Sequence, residues 1–221
     1  MMRELNAKRA GAPKGTAKQI VIFVHGYGAD GADLLGLAGP LAPHLPDTAF
    51  YAPDAPDPSS ANPAGFQWFP IPWIDDSSEE EAAEGLVASA EDLDAFITRV
   101  LNDEGLEADR LALVGFSQGT MMSLHVAPRR EDQIAGIAGF SGRLVAPERL
   151  PTEALSFPPI LLLHGDQDDV VPYPSMDEAE RDLTAAGFSV ATYTMEGTPH
   201  GIAPDGLGQA LAFLQDVFGI D

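Results

Sequence analysis

The chain contains no cysteine. That excludes disulfides, thiolate nucleophiles and thiolate metal sites, and it leaves the redox compartment undetermined. Basic residues are scarce: 12 Lys and Arg stand against 34 Asp and Glu, a formal net charge of −22. Such a field repels phosphate backbones and anionic head groups, so nucleic acid and a stable membrane attachment are not expected. Long apolar runs are missing too. The stretch Ile20–Val24 is far too short to span a bilayer, and residues 1–18 lack the apolar segment of a secretory signal, so the expected location is cytoplasmic.

No lysine occurs beyond Lys18. With Arg3, Lys8, Arg9, Lys14 and Lys18 opposed only by Glu4, residues 1–18 read as a polar basic arm. Beyond it, 7 arginines face 33 acids, which reads as a solvated acidic surface, with adaptation to high salt as the alternative. The 221 residues are 45% hydrophobic, with 22 Gly and 19 Pro, which fits one globular domain over 19–221 and neither disorder nor a collagen-like repeat.

Short apolar runs alternate with helical patterns, the signature of βαβ units and a mainly parallel sheet of about six or seven strands flanked by helices. Strands are expected at 19–25, 48–52, 110–116, 134–140, 160–164 and 190–195. Several are apolar without alternation, as strands covered on both faces must be. The clearest helix runs from Glu79 to Asn102, with capping-box spacing at Ser78 and Glu81 and Gly105 after its last periodic residue. Further helices are expected at 119–127, 174–186 and 205–218. The connection at 53–78 is too long for a plain loop, and its six prolines and Phe66, Trp68, Phe69 and Trp73 mark it as a binding segment or lid.

Residues 111–127 read LALVGFSQGTMMSLHVA, an apolar strand, the pentapeptide Gly115-Phe116-Ser117-Gln118-Gly119, and a helical run. A strand turning sharply into a helix needs small residues beside a serine held in a strained conformation, and Gly115 and Gly119 supply the space. The free N–H groups of the following helix favour an anion there. A hydroxyl needs a base to become a nucleophile. Of five histidines, His25 and His164 end strands and read as turn braces, while His44 and His125 read as structural or solvated. His200 lies in a late loop, Gly197-Thr198-Pro199-His200-Gly201, where a base could reach the serine from the carboxyl end of the sheet. A carboxylate must orient it. Asp166, Asp168 and Asp169 crowd the loop after the fifth strand, and chemistry alone does not choose among them. Backbone N–H groups of Tyr27, in the glycine-rich loop His25–Asp30, and of Gln118 are the expected oxyanion donors. No phosphate-binding glycine motif follows that strand, so nucleotide binding is not expected.

Together HGYGADG, WFPI, GFSQGT, HGDQDDVVP and the late PHG resemble the carboxylesterase and phospholipase branch of α/β-hydrolases, which includes acyl-protein thioesterases. The resemblance covers roughly residues 19–218. It implies an α/β-hydrolase fold, Asp168 as the acid of the triad with Ser117 and His200, and Tyr27 as an oxyanion donor. It also implies Trp68 and Phe69 as substrate-contacting residues at an acyl pocket. The arm before Gln19 reads as too short or too polar to give the first strand such proteins have.

The expected function is a serine carboxylesterase acting on small-molecule esters of small to medium acyl chains through an acyl-enzyme, without metal or organic cofactor. The alternatives are a lysophospholipase or acyl-protein thioesterase, and a hydrolase-fold binding protein without turnover. A homodimer is left open.

Overall fold

The computed structural model describes residues 3–220. Seven strands form one sheet in the order β1-β3-β2-β6-β7-β8-β9. They are β1 (Ala7–Gly11), β2 (Gln19–Val24), β3 (Thr48–Pro53), β6 (Leu111–Phe116), β7 (Gly136–Phe140), β8 (Ile160–Gly165) and β9 (Val190–Met195). All neighbours pair in parallel except β1, which runs antiparallel to β3. The short strands β4 (Asp57–Pro58) and β5 (Phe66–Gln67) form a separate antiparallel pair.

The helices are α1 (Gly31–Leu35), α2 (Ala38–Leu41), α3 (Pro72–Asp75), α4 (Glu79–Glu104), α5 (Gln118–Val126), α6 (Leu150–Glu153), α7 (Pro174–Ala185) and α8 (Pro204–Phe218). The sheet is covered on both faces, which is why its strands show no polar alternation. Ile20, Ile22, Leu111 and Leu113 pack with Leu93 and Ile97 of α4 and Met121 and Leu124 of α5. The intervening Val21, Phe23, Ala112 and Val114 pack on the opposite face with Leu34 of α1, Leu41 of α2 and Leu214 of α8. α4 starts as its sequence predicts: Ser78 accepts from the Glu81 N–H, and the Glu81 carboxylate accepts from the Ser78 N–H. It ends at Gly105, which adopts the left-handed conformation at φ 69°.

One expectation needs correction. Residues 7–11, read as part of a featureless arm, supply an edge strand paired from Ala7 opposite Pro53 to Gly11 opposite Ala49. Its polarity suits an edge, where charged side chains stop further strands from pairing. The arm's cations neutralise buried acids of α4 itself. Arg9 meets Glu104 at 2.7 Å, and Arg3 meets Asp92 at 2.7 Å. Segment 53–78 carries β4, β5 and α3.

Candidate active site

Ser117 stands between β6 and α5 with φ 53° and ψ −114°. This conformation is costly for a residue with a Cβ and is found where the surroundings over-determine it. The flanking glycines are required. A Cβ on Gly115 would lie 2.6 Å from Gly119 O and Thr120 N, and one on Gly119 would overlap the carbonyl of Val24. The Ser117 N–H donates to Phe140 O at 2.8 Å, and its carbonyl accepts from Thr120 and Met121.

Of the three aspartates after β8, only Asp168 is buried. Asp166 accepts the Gly197 N–H at 2.7 Å and thereby holds the loop that carries His200; Asp169 is exposed. His200 Nδ1 lies 2.7 Å from Asp168 Oδ2, and the other oxygen accepts the N–H groups of Val170 and Val171, both at 2.9 Å. Burial opposes ionisation of Asp168, but the bonds from His200, Val171 and Val170 outweigh it and hold the carboxyl below its ordinary range. A carboxylate accepts only, so Nδ1 carries the proton and Nε2 is left as the basic nitrogen. The His200 ring packs on Phe116, the residue before Ser117, with centroids 4.9 Å apart. Among the described residues no hydrogen bond joins Ser117 to His200. The geometry brings the pair to one edge of the sheet without bonded contact, as is common before substrate binds.

The loop after β2 abuts the serine. A Cβ on Gly26 would come within 3.3 Å of Ser117 Cβ, and Tyr27 follows. Among the described residues no carbonyl takes the Tyr27 N–H, and Gln118 is the first residue of α5, whose N–H has no partner inside the helix. Neither N–H has a backbone acceptor among the described residues.

Trp68 and Phe69 part company. The Trp68 indole is wholly buried and donates to His25 O at 3.0 Å, so it braces the loop after β2. Phe69 lines an apolar cavity of about 360 Å³ with Ile71, Trp73, Leu86, Leu144 and Val145. The Gln118 side chain donates to Phe69 O at 2.7 Å, which ties the Phe69 wall of this cavity to the residue after Ser117.

Sequence reasoning missed two contacts. The Gln118 side chain accepts the Trp68 N–H at 2.9 Å and donates to Phe69 O at 2.7 Å, clamping segment 53–78 to the turn. The Tyr27 hydroxyl meets Ser60 Oγ at 2.7 Å and donates to Asp75 at 3.1 Å. Nothing in the local pattern marks either contact. His25 and His164 are braces as expected. His25 donates from Nδ1 to Gly26 O and accepts the Ala55 N–H at Nε2, while His164 Nε2 meets Val171 O. A larger cavity of about 540 Å³ lies at the far end of α5, lined by His125, Arg129 and Arg149, away from Ser117. No helix among the described residues is long and apolar enough to cross a membrane.

Comparison with known proteins gives the same picture. Residues 6–218 match the family model described as phospholipase/carboxylesterase. Esterase YpfH of Escherichia coli (strain K12) is 28% identical over 194 residues, covering 86% of this chain and 79% of that protein. Acyl-protein thioesterase 1 of Gibberella zeae is 30% identical over 213 residues, covering 88% of each. Among solved structures, esterase PE8 superposes with a TM-score of 0.91 at 39% identity, over 97% of this chain and 100% of that one. Acyl-protein thioesterase 2 of Zea mays gives 0.77 at 27% identity, over 97% and 99%. With the strand order, the turn at Ser117 and a family match over nearly its whole length, this chain belongs to the phospholipase/carboxylesterase family of α/β-hydrolases.

Proposed function

We propose that the protein is a serine carboxylesterase that hydrolyses small-molecule esters through an acyl-enzyme. Ser117 Oγ attacks the ester carbonyl while His200 Nε2 takes its proton. The N–H groups of Tyr27 and Gln118 bind the oxyanion that forms, in a region where they have no competing acceptor. As the tetrahedral species collapses, His200 returns the proton to the departing alcohol and leaves the acyl group on Ser117. Water then repeats the sequence, and the acid departs. Asp168 fixes the tautomer of His200 and stabilises the imidazolium. Phe69 and the cavity beside it receive the acyl group.

The observation that carries this reading is the 2.7 Å bond from His200 to the buried Asp168, made by a ring packed on the residue before Ser117. The test is turnover of a p-nitrophenyl ester by wild type and Ser117→Ala, with mass spectrometry locating the adduct of an organophosphonate. The variant should lose on the order of 10⁴-fold or more, since binding and the oxyanion donors alone account for a small part of the rate. Comparable turnover by the variant, or an adduct elsewhere, would refute the assignment. A lysophospholipid or acyl-thioester substrate is the second reading, favoured by the acyl-protein thioesterase relative at 30% identity; a strong preference for long acyl chains would support it.

A further inference from the structure

The cavity lined by Phe69 is bounded by two segments distant in sequence that meet. Trp73 stands on α3 and Arg143 in the loop after β7; both line the cavity, and the guanidinium carbon lies 4.6 Å from the indole centroid. Seven of the nine arginines, from Arg3 to Arg181, pair with carboxylates. Arg143 instead stacks on an indole that is itself 56% exposed. The ring stands on a turn that resists displacement. Pro72 opens α3, and the Asp75 carboxylate accepts from Ile71 N at 2.9 Å, Tyr27 Oη at 3.1 Å and Ser77 Oγ at 2.5 Å.

We propose that the Arg143–Trp73 stack is a bridge across the acyl cavity that sets the length of acyl group the site accepts. The inference rests on the esterase reading above and adds a specificity element to it. Phe69, Ile71, Leu86, Leu144 and Val145 give a short chain an apolar surface. A longer chain meets the indole, held in place by a planar cation from the opposite wall. Opening the bridge lets further methylenes leave water, each worth about fourfold in kcat/KM.

The experiment compares kcat/KM for p-nitrophenyl butanoate and decanoate in wild type, Trp73→Ala, Arg143→Ala and the double variant. The decanoate-to-butanoate ratio should rise on the order of tenfold in Trp73→Ala and less, in the same direction, in Arg143→Ala. The double variant should not exceed Trp73→Ala, because both changes open one bridge. Trp73→Phe, which keeps a ring under the guanidinium, should retain the wild-type ratio. An unmoved ratio in both alanine variants overturns the bridge. So does an Arg143→Ala effect confined to esters bearing a carboxylate or phosphate, which would make Arg143 an anion subsite. The two readings fail separately. Wild type inactive on every ester, or Ser117→Ala fully active, refutes the serine mechanism; serine-dependent hydrolysis with an unmoved ratio refutes the bridge alone.

Discussion

His125 makes the protein sensitive to mild acid in a way that can be measured. The ring is buried in α5, and its Nδ1 has no hydrogen-bond partner among the described residues. Burial lowers its pKa most, the nearby Arg129 and Arg149 add to this against the opposing pull of Glu153, and the value falls to about 4. The unfolded chain takes up a proton at the ordinary value of about 6.5, so between these two values the unfolded state binds more protons. Stability is therefore fully present above about 6.5 and is lost as pH falls toward the folded value. From the two pKa values, the loss from this residue is about 2 kcal/mol at pH 5 and about 3 kcal/mol at pH 4. His125→Leu removes the titration and replaces an unpartnered polar ring with apolar volume, a change near neutral at pH 7. Urea titrations of wild type and variant at pH 7, 5 and 4 should give curves whose separation grows in the variant's favour by those amounts. Because every other group titrates in both proteins, the difference isolates His125. A separation independent of pH would refute the account of its burial.

Two further outcomes follow from the same structure. Gln118→Ala leaves the buried Trp68 N–H and the Phe69 carbonyl without partners, a loss of about 2–6 kcal/mol at about 1–3 kcal/mol for each; a drop below 1 kcal/mol in urea unfolding would show that the clamp is dispensable. With a net charge of −22, raising sodium chloride from 0.1 to 1 M should raise the urea midpoint, because the screening length shrinks from about 10 to about 3 Å; a fall in midpoint would show that repulsion among the surface acids is not limiting.

The parts of the fold that could be read in advance are those written in local pattern. Doubly covered strands announce themselves as unbroken apolar runs, and α4 by its Ser78–Glu81 cap. Ser117 was legible because its two glycines answer a steric demand of the turn itself. β1 was not. An edge strand buries little, so its sequence carries no alternation, and its cations acquire meaning only through Glu104 and Asp92, some ninety positions away. The packing of Trp68 was not legible for a related reason. An aromatic residue in a Pro-rich segment can line a pocket or fill a core, and the bond from its indole to His25 O decides the matter across 43 positions. The choice of Asp168 over its neighbours came from resemblance, and its physical ground is burial: Asp166 spends its carboxylate on Gly197 N–H.

The strained serine and the clamp are two sides of one design. A residue held at positive φ costs on the order of 1–3 kcal/mol and relaxes unless its neighbours forbid it. Here the turn is held on each side. Phe140 O accepts both the Ser117 N–H and the Thr120 hydroxyl, at 2.8 Å each. Gln118 locks the other side through Trp68 and Phe69, and the Trp68 carbonyl is in turn held by Ser89 of α4. Segment 53–78 therefore does more than form the wall of a cavity. By fixing Gln118 it fixes the start of α5, and with it one of the two backbone N–H groups proposed to bind the oxyanion. A change in this segment should accordingly alter turnover as well as substrate preference, and the two effects separate by position: at Trp68, packed against the turn, both move, whereas at exposed Trp73 preference moves first.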